Sequence, residues 1–262
     1  YYPFGAGLVH ALGYVGRINE KELKRVDSTD YSATHYIGKL GIEKFYEPLL
    51  HGDVGYHKVE TNARGRVMRV LERADPVPGK DIVLHLDIRL QQAAEKLVEG
   101  RRAAIVAIDP KTGGILAMVS NPGYDPNLFV TGISTKAYKA LRESPDLPLF
   151  NRALRGQYPP GSTIKPMVAM SVIDSGIVSP SHTIHDPGFF TLTKGGRHYR
   201  DWKRSGHGKV GLEMAIYQSC DVWFYDVSNR AGVDVISNYL RKFGLVQVTS
   251  LDLPEALPGI LP

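Results

Sequence analysis

Apolar and polar residues alternate along "YHKVETNARGRVMRVLER" (Tyr56 to Arg73), where Val59, Val67 and Val70 sit among polar neighbours and Gly65 marks a turn. A period of two predicts extended strands paired as a hairpin. Upstream, "IGKLGIEKFYEPLL" (residues 37–50) changes period: Ile42, Phe45, Tyr46 and Leu49 recur at helical spacing and predict one short helix. "DPVPGKD" (Asp75 to Asp81) breaks both patterns with two prolines and a glycine, and reads as a linker. Beyond it a helix is expected over "DIRLQQAAEKLVEG", capped by Asp87, with Leu90, Ala94 and Leu97 on one face and Gly100 as its stop. "AAIVAIDPKTGGILAMVS" then offers two apolar runs joined by Asp109 to Gly114, the pattern of a β-hairpin. Residues 121–155 read as loop and short helix. A last helix is expected over "KPMVAMSVIDSG", with Met167, Val168, Met170 and Val172 available for burial before Gly176 ends it.

Composition narrows the class without deciding the chemistry. With 262 residues and 43% hydrophobic content the chain can bury one large core or two modest ones. The net charge of +5 comes from dispersed basic residues, and no aromatic–basic signature of nucleic-acid binding occurs. A mildly positive surface suits work beside an anionic membrane or polymer. The longest apolar runs, such as "AAIVAI", are too short to span a bilayer. The chain opens on "YYPFGAG" without Met and stops at "LPGILP", so an excised piece of a longer protein is expected. One cysteine, Cys220, excludes an internal disulfide; alone it reads most simply as a small buried hydrophobe.

Chemistry concentrates after Tyr158. "YPPGSTIKPMVAM" sets Ser162 and Lys165 three apart, behind a stiff Pro159-Pro160-Gly161 turn and at the mouth of the last helix. Residues at that spacing share a helix face, so the Lys165 amine can reach the Ser162 hydroxyl. A serine needs a base to become a nucleophile, and a helix N-terminus favours a developing oxyanion. The plain alternative is a serine cap and a solvated lysine. In "IYQSCDVWFYD", Ser219 and Asp221 could present a hydroxyl and a carboxylate together, or could cap the helix that follows. Asp186, Asp201, His207 and Cys220 form a workable zinc set by residue type. Against that, Cys220 could be a core thiol and the two aspartates loop caps.

The order of motifs ties these residues together. Ser-x-x-Lys followed by a Ser-x-Asn-like triplet is the opening of the motif set of penicillin-recognising enzymes. "YPFGAGLVHALGYVG", "YIGKLGIEKFYEPLLHGDVG" and "NARGRVMRVL" resemble the pedestal of class B penicillin-binding proteins. "AAIVAIDPKTGGILAMVSNPGYDPN" resembles the first strands of their transpeptidase domain, and "HYRDWKRSGHGKVGLEMAIYQSCDVWFYDV" is similar to their cell-elongation branch. Two departures stand out. The triplet is Ser219-Cys220-Asp221, with Asp where most relatives carry Asn. The only Lys-Thr-Gly, Lys111 to Gly113, precedes the serine in a hairpin turn, so the catalytic Lys-Thr-Gly strand is expected beyond Pro262.

The resemblance implies an α+β chain: a β-rich pedestal over residues 1–80, then part of a transpeptidase domain over 81–262, an antiparallel sheet flanked by helices. It implies peptidoglycan D,D-transpeptidation with Ser162 as nucleophile, Lys165 as base, Ser219 as proton relay and Asp221 lining the substrate cleft. Some members of the elongation branch hold a zinc with Asp, Asp, His and Cys at the places of Asp186, Asp201, His207 and Cys220. The implied partners are peptidoglycan stem peptides, β-lactams, a membrane glycosyltransferase and other elongation proteins, at the periplasmic face of the bacterial inner membrane. Rival readings are a D,D-carboxypeptidase or other hydrolase, and a non-catalytic β-lactam sensor or scaffold.

Overall fold

The structure, a computed structural model, describes residues 1–26, 30–31 and 34–261. It divides into two compact units, Tyr1–Gly156 with Ser250–Ala256, and Gln157–Thr249 with Leu257–Pro262. The first unit opens with α1 (Val9–Leu12), β1 (Val15–Arg17), α2 (Glu20–Leu23), β2 (Tyr36–Gly38), α3 (Gly41–Phe45) and α4 (Glu47–Leu50). It continues with β3 (Tyr56–Thr61), β4 (Val67–Ala74), α5 (Ile88–Leu97), β5 (Ala103–Ile108), β6 (Ile115–Asn121), α6 (Asn127–Val130), α7 (Thr135–Glu143) and α8 (Arg152–Arg155). The second unit holds α9 (Lys165–Asp174), β7 (Thr183–Asp186), β8 (Phe189–Phe190), β9 (Tyr199–Arg200), β10 (Gly208–Gly211), α10 (Leu212–Tyr217) and α11 (Asp221–Arg241). The architecture is α+β. Antiparallel pairs β1–β2, β3–β4, β5–β6, β7–β10 and β8–β9 make up the sheets among the described residues. No helix among the described residues is long and apolar enough to cross a membrane.

In the first unit the hairpin expected from alternation and the one expected from two apolar runs both form. The Lys111–Gly113 stretch is an ordinary turn: the Asp109 carboxylate accepts from the Lys111 N–H at 3.0 Å and the Thr112 hydroxyl at 2.8 Å. The single helix expected over residues 37–50 does not form; β2, α3 and α4 stand there instead. The cause is close backbone approach. A Cβ on Gly38 would meet the Glu43 carbonyl at 2.1 Å, and one on Gly41, at φ +59°, the Ala11 carbonyl at 2.5 Å. Pro48 then fits only the first turn of a new helix, α4.

Asp87 caps α5 as expected, accepting from Arg89 and Leu90 N–H. The buried stripe is rotated, though: Gln91 and Ala94 are buried while Leu90 and Leu97 are exposed. Gln91 overrides the apolar pattern because its amide is fully used. Its Oε1 accepts from the Met118 N–H at 2.8 Å, and its Nε2 donates to the carbonyls of Met118 and Gly7 at 3.0 and 3.1 Å. These bonds hold residues on both sides of position 80 in one unit. The stretch expected as a linker is also tied down, with Asp53 and Val77 exchanging both backbone hydrogen bonds at 2.9 Å.

The second unit is organised by α9 and α11. Val168, Val172, Val178, Val210, Ala215, Trp223 and Val227 form its core, with Val172, Trp223 and Val227 fully buried. Each such valine contributes about 1.5 kcal/mol or more by removal from water. Met170, expected in the core, is exposed, and Ser171 is buried in its place with its hydroxyl bonded to the Val168 carbonyl at 2.7 Å. Packing α9 against α11 brings the first turns of both helices to one side of this core. That is where the candidate residues lie.

Candidate active site

Ser162 stands on a 3-10 turn, Gly161–Ile164, that leads directly into α9. Gly161 takes φ +57°, a conformation that favours glycine and lets the Pro-Pro segment turn sharply into the helix. Ser162 is exposed and open to solvent. Lys165, first residue of α9, is largely buried, its side chain 12% exposed.

The lysine reaches the serine through a second hydroxyl. Lys165 Nζ donates to Ser219 Oγ at 3.1 Å, and Ser219 Oγ donates to Ser162 Oγ at 2.9 Å. Lys165 also donates to the Ser219 carbonyl at 2.7 Å and to Asp221 Oδ1 at 2.6 Å. Three acceptors match the three N–H bonds of an ammonium. The Phe224 ring adds a fourth favourable neighbour, its centroid 5.3 Å from Nζ.

Ser219 owes its place to the end of α10. Gln218 is the C-cap, and Ser219 follows with φ +53°. The Ser219 N–H donates to the Ile216 carbonyl at 3.1 Å and the Cys220 N–H to the Ala215 carbonyl at 3.0 Å. This bond pair is the Schellman helix ending, whose left-handed residue is usually glycine. A serine here costs roughly 1 kcal/mol of backbone strain. The hydroxyl between Lys165 and Ser162 is what a glycine would lose.

Neither Ser219 nor Asp221 caps α11. Cys220 occupies the cap position without a side-chain bond, and the first N–H groups are satisfied from a distance. Asp201 Oδ2 accepts from the N–H of Asp221 at 2.7 Å and of Val222 at 3.3 Å. Asp201 is thus a helix cap supplied from a loop 20 residues upstream, a role its sequence position does not announce. Trp202 and Phe224 are further contributors that the sequence motifs pass over.

The four residues of the zinc set come together in one buried cluster, their ligand atoms all within 4.8 Å of one another. His207 Nδ1 lies 2.8 Å from Asp186 Oδ2 and 3.6 Å from Asp201 Oδ1, and Cys220 Sγ lies 3.5 Å from Asp186 Oδ2. Burial acts to raise the Asp186 pKa, but the Gly188 N–H and the side chain and backbone of His207 outweigh it and leave the carboxyl low. Burial, reinforced by Asp186 and Asp201, pushes the Cys220 thiol up to about 12. Among the described residues no lysine or arginine pairs with either carboxylate. Two buried carboxylates beside an imidazole and a thiol, without a basic side chain, form a donor set that fits a divalent cation such as zinc.

Comparison with known proteins agrees with this geometry. Residues 103–262 match the family model of the penicillin binding protein transpeptidase domain, and residues 1–84 that of the penicillin-binding protein dimerisation domain. The chain is 52% identical over 262 residues to the peptidoglycan D,D-transpeptidase MrdA of Acinetobacter baumannii, and 48% over 266 residues to that of Escherichia coli K12. All of this chain is covered in both alignments, but only 39% and 42% of those relatives. Among solved structures it is similar to Pseudomonas aeruginosa PBP2 in complex with WCK 5153, with a TM-score of 0.91 and 53% identity over 100% of this chain and 54% of that one. It is also similar to Helicobacter pylori PBP2 in its complex with MreC, with a TM-score of 0.92 and 38% identity over 100% of this chain and 48% of that one. A serine–lysine–serine chain built on Ser-x-x-Lys, inside a transpeptidase match that spans more than half of the sequence, leaves one assignment: this chain belongs to the penicillin-binding protein transpeptidase family.

Proposed function

We propose that the full-length protein is a peptidoglycan D,D-transpeptidase of cell elongation that works through an acyl-enzyme on Ser162. The observation that carries this reading is the hydrogen-bond chain Lys165–Ser219–Ser162 at 3.1 and 2.9 Å. Ser162 Oγ attacks the carbonyl of the penultimate D-Ala of a stem peptide. Its proton passes through Ser219 to the neutral amine of Lys165, and from there to the departing amine of the terminal D-Ala as the C–N bond breaks. An amine of a neighbouring stem peptide then takes the acyl group and returns the proton to Ser162. The Ser162 N–H serves as one donor to the oxyanion. Asp221 Oδ1 accepts from Lys165 Nζ at 2.6 Å and also lines the cleft.

Residues 1–80 act in this proposal as the pedestal and 81–262 as the start of the transpeptidase domain. The protein sits at the periplasmic face of the inner membrane, where a glycosyltransferase and other elongation proteins meet it, and β-lactams acylate Ser162 in place of the stem peptide. Asp186, Asp201, His207 and Cys220 would hold zinc. A zinc with four protein ligands supplies fixed positive charge and rigidity rather than an activated water. These residues then anchor the α10–α11 junction from which Ser219 and Asp221 project.

Intact-mass measurement of the full-length protein after penicillin treatment tests the site: one adduct is expected, lost in Ser162→Ala, and an adduct surviving that substitution refutes the assignment. Turnover of lipid-linked peptidoglycan separates the rivals. Cross-linked product supports transpeptidation; D-Ala release without cross-links would indicate a carboxypeptidase, and an acyl-enzyme without turnover a sensor. Metal analysis of protein purified without chelator is expected to give near-stoichiometric zinc, absent from Cys220→Ala.

A further inference from the structure

Trp202 is 62% exposed, yet its only polar atom is committed inward. The indole Nε1–H donates to the Gln218 carbonyl at 2.9 Å. Gln218 is the C-cap of α10, and its carbonyl has no donor within that helix. The same peptide unit carries the Ser219 N–H, which the helix end takes through the Ile216 carbonyl at 3.1 Å. Because a peptide unit is planar, bonds to its C=O and its N–H together fix its orientation. The next rotatable bond is φ of Ser219, held at +53°. That dihedral directs the Ser219 side chain, whose hydroxyl bridges Lys165 at 3.1 Å and Ser162 at 2.9 Å.

We infer that Trp202 is a positioning residue for acyl transfer: its indole N–H locks the Gln218–Ser219 peptide so that the Ser219 hydroxyl stays between Lys165 and Ser162. The inference rests on the reading of Ser162 as the acylated nucleophile. The ring also packs edge-on to His207, with centroids 5.5 Å apart and planes at 64°, so the donor and the ring have separate effects. The 218–219 peptide lies at the end of α10, outside the core cluster of the second unit, so releasing it disturbs the Ser219 bridge first. Loss of the donor therefore acts on the chemical step and not on ligand affinity.

Two isosteres separate the N–H from the ring. In the full-length protein, 3-benzothienylalanine at position 202 puts sulfur in place of the N–H, and 7-azatryptophan keeps it. Stopped-flow labelling with a fluorescent penicillin resolves the dissociation constant of the encounter complex from the acylation rate constant k2. The benzothienyl protein, and Trp202→Phe with it, is expected to lose roughly threefold to tenfold in k2 with an unchanged dissociation constant, the scale of one neutral hydrogen bond. The azatryptophan protein is expected to acylate like the wild type. Equal k2 in all of these proteins overturns the inference alone. So does an equal loss in both isosteres, which would assign the effect to the ring, or a loss confined to the dissociation constant. A wild-type protein that does not label at all overturns the acyl-enzyme reading and this inference with it.

Discussion

Ser219 couples backbone strain to a functional hydroxyl, and replacing it by glycine and by alanine separates the two. Both substitutions delete the same hydroxyl and its bonds to Lys165 and Ser162, so those losses cancel between the variants. They differ in the left-handed backbone at φ +53°. Alanine retains a cost of roughly 1–2 kcal/mol there, which glycine escapes. Glycine gains unfolded-state freedom of about 0.4–1 kcal/mol, which offsets part of that relief. The balance leaves Ser219→Gly more stable than Ser219→Ala by about 0.5–1 kcal/mol, or roughly 1–4 °C in Tm for a domain of this size. Thermal unfolding of the two full-length variants, followed by differential scanning fluorimetry, reads this difference. The same proteins are expected to acylate more slowly than the wild type by about 100-fold or more, because a positioned proton relay contributes on that scale. The two variants thus share the loss in rate and differ in stability. Alanine melting at or above glycine would refute the strain. Acylation near the wild-type rate in either would refute the relay.

Three further outcomes are expected. Asp221→Asn keeps an acceptor beside Lys165 and is expected to hold acylation within about tenfold of wild type, whereas Asp221→Leu strands a largely buried ammonium 2.6 Å from its former partner and costs about 2 kcal/mol in thermal unfolding. His10 is buried, bonded to the Pro148 carbonyl at 3.0 Å, and burial lowers its pKa to about 4. Its neutral form is the folded form, so its contribution is complete above the unfolded value near 6.5 and is lost as pH falls toward 4; denaturant titrations are expected to show roughly 3 kcal/mol less stability at pH 4, a slope that His10→Gln flattens. Asp87→Ala removes the cap that accepts from Arg89 and Leu90 N–H and is expected to cost about 1 kcal/mol, restored by Asp87→Asn, in the same titration.

What the sequence disclosed follows the range of the interactions involved. The Asp87 cap, the Asp109–Gly114 turn and the Ser162–Lys165 spacing are satisfied within a few residues, and local pattern is enough to find them. Residues 37–50 fail as one helix because Gly38 and Gly41 answer to carbonyls brought close by folding, which periodicity does not report. The face of α5 is misjudged for a related reason: Gln91 is buried by bonds to Met118, 27 residues away, while Leu90 stays outside. At the candidate site, residue types and order single out Ser162, Lys165, Ser219 and the four cluster residues, and the fold brings them close together. How the Lys165 amine reaches the Ser162 hydroxyl is not legible, because the bridge depends on Ser219 occupying a glycine-like position at the end of α10.

Asp201 ties the buried cluster to the segment that carries the Lys165–Ser219–Ser162 hydrogen-bond chain. Its Oδ2 accepts from the first N–H groups of α11, and its Oδ1 faces His207 at 3.6 Å. A carboxylate at a helix N-terminus is favoured both as a hydrogen-bond acceptor and by the helix dipole. Fixing Asp201 therefore fixes the start of α11, and with it Asp221, the ion-pair partner of Lys165. Cys220 lies between Ser219 and Asp221, so any force on its sulfur acts on the backbone of both. Its N–H already holds the α10 ending at Ala215, which sets the left-handed turn at Ser219. Cluster and relay thus share two peptide units and one carboxylate. A change in the cluster reaches Ser162 through those bonds, with no need for a larger rearrangement of the core formed by α9 and α11.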